Sequence, residues 1–301
     1  MSEIGLSAFF GAENAKDFVE TAWQESPIAV HGLRESIAPL TEIPFLASLD
    51  ALLESWGGKL QVHLPDVSDE SSSIDAYPQE ARKLFANGMA LNFDKVHEKS
   101  AVLREWLAAI ARDLGLPAST YARCMVYATP DGKGTAPHFD QNINFVIQLQ
   151  GTKKWWIASN TSVENPTQRH VMGQAEDPEL KSYAYEAMPT EMPSEREEII
   201  LEPGSMLFVP RGFWHSTEAR GEALALNFTF SQPTFADLFT MALRSRLLLS
   251  PDWRALADGV ASPNSERRQA ATAKLDLLLA ELAQDIPNWR AEDILGATEG
   301  L

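Results

Sequence analysis

Cys124 is the only cysteine in 301 residues. No intrachain disulfide can form, so cohesion has to come from a buried core, as in proteins of a reducing cytoplasm. Long apolar runs are also missing. None approaches the ~20 residues that cross a bilayer, so no membrane-spanning helix is expected. Basic residues are scarce, with 25 Lys and Arg against 42 Asp and Glu and a formal net charge of −17. Phosphate binding needs clustered Lys and Arg, so nucleic acid is disfavoured as the main partner. A cationic substrate drawn by a long-range field fits this charge, and so does plain solubility. The start of the chain, MSEIGLSAFFGAENAKDF, has no basic stretch followed by an apolar one and does not read as a secretory signal. No internal repeat and no low-complexity linker is visible.

What is present is an ordinary globular composition, 45% hydrophobic and 22% charged, in three textures. Residues 1–120 carry mainly helical patterns with short β-like pieces between them. Asn14 is positioned to cap a helix over Ala15 to Gln24. Pro44 to Trp56 and Lys95 to Leu114 read as further helices, the latter stopped by Gly115. Its stripe of Val102, Trp106, Ala109, Ile110 and Asp113 is apolar except for the last residue. Ile28 to Val30, Lys59 to His63 and Gly88 to Asn92 are β-like, so β elements can begin before the main β region, near residue 85.

Residues 121–232 turn to β. Apolar runs at Arg123–Ala128, Ile143–Leu149, Lys154–Ala158, Ile199–Leu201, Ser205–Val209 and Ala223–Phe230 are separated by turn signals. These are Pro130-Asp131-Gly132, Gln150-Gly151, Pro203-Gly204 and Arg220-Gly221. Many short strands at this spacing predict a sandwich or barrel. Residues 233–301 return to helix, with Leu275, Leu278, Leu279, Leu282 and Ile286 on one stripe after Pro263.

The strongest chemical signal is Pro137-His138-Phe139-Asp140. Residues two apart on a strand share a face, so His138 and Asp140 can offer an imidazole and a carboxylate to one ion. A second histidine, His215, follows the β-like run Met206–Val209, 77 residues further on, far enough to return on another strand. Two histidines and one carboxylate on one side of an ion leave three adjacent positions open, the facial triad of non-haem Fe(II) oxygenases. Each piece alone is usually incidental; their order on β-like segments and their polar company make the signal. A zinc hydrolase is the weaker reading, since it needs an activated water with its own general base and no His-Glu-x-x-His helix is present.

Lys153 lies 15 residues after His138, where its ammonium could pair with the far carboxylate of a dicarboxylate that chelates the metal. Such a charge-assisted bond is worth roughly 1.5–3 kcal/mol. Its neighbour Lys154 should face solvent. Thr135, Asn144 and Asn227 are polar residues in or beside apolar strands, where unbonded polar groups cost about 1–3 kcal/mol. Either they are satisfied structurally or they line a polar site. Trp155, Trp156 and Trp214 read as core or cavity wall.

The segments Tyr127–Gly132, Ala136–Asp140, Phe145–Trp155, Pro203–Pro210, Phe213–His215 and Leu226–Phe228 together resemble the JmjC oxygenases, over roughly residues 85–232. Trp23–Pro27 followed by Val30-His31-Gly32 also resembles the entry to such proteins. The nearest branch is the protein hydroxylases, the ribosomal oxygenases and the asparaginyl hydroxylase that inhibits the hypoxia-inducible factor. The resemblance implies a mainly β fold with flanking helices around a double-stranded β-helix, a jelly-roll, cupin-like core. It implies Fe(II) held by His138, Asp140 and His215, with O2 and 2-oxoglutarate as cosubstrates. It places the 2-oxoglutarate carboxylate on Lys153, and Thr135, Asn144 and Asn227 in the same pocket. Sugar-binding and isomerase cupins fit less well, because their first motif carries two close histidines. After residue 232 only 69 residues remain, too few for both the dimerising helices and the winged-helix module of the ribosomal oxygenases.

The expected reaction is hydroxylation of an unactivated C–H bond in a protein or peptide, with succinate and CO2 as co-products. Oxygenation of a small molecule or peptide natural product is the alternative, and a non-catalytic binding protein or N-methyl demethylase is a third reading. Residues 176–202 hold nine acidic residues against Lys181 and Arg196. They form either a solvated loop or a surface for a basic peptide. The helix near Ser265–Ile286 predicts a homodimer, unless its stripe packs on the barrel or on the Phe235–Leu249 helix. A cytoplasmic location is expected.

Overall fold

The computed structural model describes residues 3–22, 25–64 and 72–298. They fall into two compact units, one of residues 1–116 with 121–231 and one of residues 117–120 with 232–301. The first unit is built on eleven strands: β1 Ile28–Val30, β2 Leu60–His63, β3 Ser73–Ala76, β4 Ala90–Phe93, β5 Tyr121–Thr129, β6 Gly134–Phe139, β7 Ile143–Ala158, β8 His170–Val171, β9 Glu197–Leu201, β10 Met206–Val209 and β11 Trp214–Ser231. The main path through the sheet is β1-β10-β7-β11-β5-β4-β2-β3, with β6 on β11 and β8, and β9 on β7. Every pairing is antiparallel. This is the large antiparallel sheet with flanking helices of the cupin-type fold.

Two expected turns are not turns. The chain runs straight through Gln150-Gly151 inside β7 and through Arg220-Gly221 inside β11. The two strands pair along their whole length, with a register break between Arg220 and Leu224. Gly151 sits at φ +65°, and a Cβ there would lie 2.0 Å from the Glu222 carbonyl oxygen. The glycine therefore makes a β-bulge, not a reversal. Gly134 serves a related purpose: a Cβ on it would fall 1.6 Å from the Thr217 carbonyl oxygen, so β6 approaches β11 only with hydrogen at that position.

The flanking helices differ from the sequence reading in their ends. Ala12–Asp17 is α-helical and Phe18–Ala22 continues as a π-helix. Asn14 does not cap it; its amide donates to the Phe10 carbonyl at 3.0 Å, because the helix already starts after Gly11, at φ 77°. Gln24, and the Trp23-Gln24 part of the entry motif, lie outside the described residues. The Pro44–Trp56 segment splits into a 3-10 turn, Pro44–Leu46, and a helix, Leu49–Ser55, capped by Ser48. Ser100 caps the Ala101–Asp113 helix, later than expected. Asp113, the one polar residue in that stripe, accepts the Leu6 backbone N–H at 2.9 Å. It therefore satisfies an orphan donor of the Leu6–Phe10 helix.

These helices pack on the sheet through aromatics. Ring centroids of Phe9 and Trp106 are 5.5 Å apart, Phe18 and Phe208 5.0 Å, and Phe145 and Phe208 4.9 Å. Each fully buried side chain of this kind contributes roughly 1.5–3 kcal/mol. The second unit is helical, with Phe235–Leu247, Ser265–Asp285 and Ala291–Thr298. Arg246 pairs with Asp285 at 2.8 Å and Phe239 meets Trp289 at 5.7 Å. Among the described residues no helix is long and apolar enough to cross a membrane.

Replacing Gly151 with alanine should lower stability by about 2–4 kcal/mol, combining a left-handed backbone with overpacking. The denaturant midpoint reports it, and an unchanged midpoint would mean the bulge tolerates a side chain.

Candidate metal and cosubstrate site

Strand β11 lies between β6 and β7, and its register puts His215 directly opposite His138. The two imidazole centroids are 4.1 Å apart. The Nδ1 of His138 is 2.7 Å from the Ala136 carbonyl oxygen, and the Nδ1 of His215 is 2.9 Å from that of Phe213. A carbonyl oxygen only accepts, so both Nδ1 atoms carry the proton. Each Nε2 is left with a lone pair for a metal, the arrangement by which such ligands are fixed in tautomer and orientation. Burial, and then the neighbouring His138, hold the His215 pKa well below its ordinary value, which keeps that ring neutral.

Asp140 follows the last residue of β6. Its Oδ2 is 3.9 Å from the His215 Nε2 and accepts from the Asn144 amide at 3.3 Å. Its Oδ1 accepts from the Arg169 Nε at 3.0 Å. One ligand atom from each of His138, Asp140 and His215 lies within 4.8 Å of the others. Two imidazoles and a carboxylate, with a shared open side, suit Fe(II).

The three residues face a cavity of about 430 Å³ that Thr135, Asn144, Lys153 and Asn227 also line. Lys153 is buried and its ammonium donates to the Thr129 hydroxyl at 2.9 Å. No carboxylate partners it among the described residues, and burial pulls its pKa down to about 8. A buried cation without a counter-charge is costly, and an incoming carboxylate removes that cost. Lys154 faces the other way but is not free in solvent; it pairs with Glu198 and lies 4.7 Å from the Trp156 ring centroid.

Asn144, Asn227 and Thr229 form one network. The Asn227 amide donates to Asn144 Oδ1 at 3.1 Å and to the Thr229 hydroxyl at 3.0 Å, and that hydroxyl donates to Asn144 Oδ1 at 2.8 Å. Asn144 is thereby oriented to give its own N–H to Asp140. Thr135 is more exposed and shares a hydroxyl contact of 3.0 Å with Thr217. Trp155 forms a wall of the cavity and stacks on His215, with centroids 5.8 Å apart, while Trp214 packs against Phe139 at 4.8 Å in the core.

Tyr127, Thr129, Thr217 and Arg169 also line the cavity and were not picked out from sequence. Strand parity could have found the first two. On β5 the odd residues Arg123, Met125, Tyr127 and Thr129 face the cavity, and the even residues Cys124, Val126 and Ala128 face the core.

Residues 112–238 match the JmjC domain family. Over 300 residues the chain is 31% identical to the uncharacterized protein YxbC of Bacillus subtilis, covering 98% of this chain and 91% of that protein. It is 26% identical to ribosomal oxygenase 1 of Gallus gallus over 72% of this chain, which corresponds to 34% of that protein. The chain thus spans about a third of the ribosomal oxygenase. Among solved structures, YcfD, a ribosomal oxygenase from Escherichia coli in complex with cobalt and succinic acid, aligns over 97% of this chain and 70% of its own. Its TM-score is 0.51 and its identity 20%, a likeness of fold.

If Lys153 receives a carboxylate, 2-oxoglutarate affinity should depend on pH with a definite sign. Below about 8 the ammonium is charged in the ligand-free protein, and binding is at its strongest. As pH rises through that value the ammonium is lost, and the apparent Kd should rise toward tenfold per pH unit. Lys153→Ala should raise it tenfold or more at pH 7 and flatten the profile. Calorimetric titration from pH 6.5 to 9.5 measures both effects, and a flat profile in the parent protein moves the anchor elsewhere.

Proposed function

The chain belongs to the JmjC family of 2-oxoglutarate-dependent oxygenases, and on that premise we propose that it hydroxylates an unactivated C–H bond of a protein or peptide. The observation that carries this reading is the meeting, in one cavity, of two Nε2-presenting histidines, a carboxylate and a buried lysine with no acidic partner among the described residues. His138, Asp140 and His215 would hold Fe(II), and Lys153 would take the distal carboxylate of 2-oxoglutarate. Iron chelated by 2-oxoglutarate supplies the oxidation: O2, 2-oxoglutarate and R–H become R–OH, succinate and CO2.

This chain's residues do the positioning. Nδ1–H bonds to Ala136 and Phe213 aim the imidazoles. Asn144 and Asn227 hold the carboxylate side of the site, and Thr135 lies at its more open edge. Val146, Trp155, Val209 and Ala225 line the same cavity and keep water from the reacting carbon. No general base is required for this reaction. The cofactor does the difficult chemistry and the protein supplies orientation.

A protein substrate is favoured because relatives in this family carry the name ribosomal oxygenase. The acidic residues of 176–202 and the net charge of −17 support a basic peptide around the modified position. The alternative, a small molecule or peptide natural product, is supported by a cavity within the size range of small-ligand sites. The lone, buried Cys124 suits a cytoplasmic location.

Incubating the protein with Fe(II), ascorbate, 2-oxoglutarate and digested lysate, and searching peptides for added oxygen, tests the substrate class. Oxygen on peptides is expected; oxygen found only on small metabolites would favour the alternative. Asp140→Ala should abolish succinate release while leaving the fold intact, and release at the parent rate would remove Asp140 from the site.

We also propose a homodimer through the Ser265–Asp285 helix. None of its residues is buried within the chain; on the stripe Leu275 and Leu279 are each 49% exposed, and Leu278 and Leu282 are half-buried. Burying four leucines at roughly 1.5–3 kcal/mol each suffices for a stable interface. Light scattering at micromolar concentration should give twice the 33.3 kDa chain mass, and Leu278→Glu with Leu282→Glu should return it to one chain. A parent monomer refutes the dimer.

A further inference from the structure

We propose that Arg169 is a positioning residue that makes Asp140 a one-oxygen ligand, so that the segment between the two metal-binding motifs is itself part of the metal site. The inference rests on the reading of His138, Asp140 and His215 as iron ligands and assigns a role to a side chain outside that set. Strands β8 and β6 pair with Val171 opposite His138 and His170 opposite Phe139. One step further along the same register brings Arg169 opposite Asp140. The pairing is anchored on both sides, since the Met172 N–H donates to the Pro137 carbonyl at 2.8 Å and the Gly212 N–H to the Asp140 carbonyl at 2.8 Å. Arg169 is thus delivered to the carboxylate by backbone pairing and not by a chance surface encounter.

The two carboxylate oxygens have different neighbours. Oδ1 takes the Arg169 Nε–H at 3.0 Å. Oδ2 takes the Asn144 amide and faces the His215 Nε2. A free carboxylate can chelate through both oxygens, and a second oxygen would fill one of the three positions that a facial triad leaves open. A 2-oxo acid needs two of these and oxygen needs the third. With Oδ1 held by the guanidinium, only Oδ2 is turned toward the histidines. Arg169 also offsets the carboxylate charge at the open edge of the site, where the Arg169 and Asp140 side chains are 37% and 21% exposed. The same guanidinium lines the cavity, so a substrate contact is the competing role, and the test separates the two.

The test reads metal binding without turnover. Co(II) is titrated into parent, Arg169→Ala, Arg169→Met and Arg169→Lys proteins, with d–d absorption giving affinity and coordination number. Arg169→Met keeps the aliphatic stem and guards against loss of fold. Both neutral variants should bind Co(II) about tenfold more tightly, because the carboxylate chelates and no guanidinium opposes the ion, with an altered d–d band as its second oxygen takes a position otherwise left to water. Arg169→Lys should return the affinity to within about threefold of the parent. In the iron-loaded enzyme the neutral variants should lose tenfold or more in kcat for succinate release, with KM for 2-oxoglutarate, set by Lys153, within about threefold. Parent-like Co(II) affinity and spectrum in Arg169→Met overturn the proposal, including when KM for the second substrate rises, which would assign Arg169 to substrate binding. A parent protein that takes up no Co(II), or Asp140→Ala binding it as tightly as the parent, overturns the ligand set itself along with this role.

Discussion

The register of β11 between β6 and β7 is the constraint on which the site depends. It places His215 across from His138 and Ile157 at once, so two histidines distant in sequence become cross-strand neighbours. Side chains on a strand alternate faces, so a slip of one residue would turn His215 out of the cavity. The register is pinned by features other than the ligands themselves. These are the bulge at Gly151, the close approach at Gly134 and the Asn144–Asn227–Thr229 network, which ties the far halves of β7 and β11 together.

Charge is arranged against the character of the whole chain. The molecule carries −17, a field that repels a dianion such as 2-oxoglutarate. The described lining of the cavity reverses the sign, with Arg123, Lys133, Lys153 and Arg169 against Asp140 alone. Arg123 is engaged by Asp94 at 3.2 Å and Arg169 by Asp140. Among the described residues Lys153 has only a hydroxyl partner, so an incoming carboxylate would meet an uncompensated buried cation. Its lowered pKa has the same cause, since burial without a counter-ion disfavours the charged form.

How much of this could be read in the sequence depends on the range of each interaction. The shared face of His138 and Asp140 was legible because a two-residue spacing on a strand is local, and His215 because it follows the apolar run Met206–Val209, far enough on to return on another strand. The β texture of 121–232 and the helical ends were legible for the same reason. Gly151 and Gly221 misled because glycine signals positive φ, which serves a bulge as well as a turn, and only the pairing partner decides which. Arg169 lies 29 residues from Asp140, in an irregular stretch with a two-residue strand, so nothing local announces the pair. Tyr127 and Thr129 were legible by strand parity, since the odd face of β5 carries Arg123, Met125, Tyr127 and Thr129 and the even face Cys124, Val126 and Ala128.

The placement of the cavity lining separates chemistry from recognition. Every described lining residue lies between Gln61 and Thr229. Within that range the contributors divide. β6, β7 and β11 supply the metal and Lys153 side, fixed by long continuous pairing. β2 and β4, short strands at one end of the sheet, supply Gln61, His63, Ala90 and Asn92, which carry none of the proposed ligands. Substitutions on these short strands fall outside the β6–β11 and β7–β11 pairings that place the histidines, so this wall of the cavity can change while the histidine geometry stays constant.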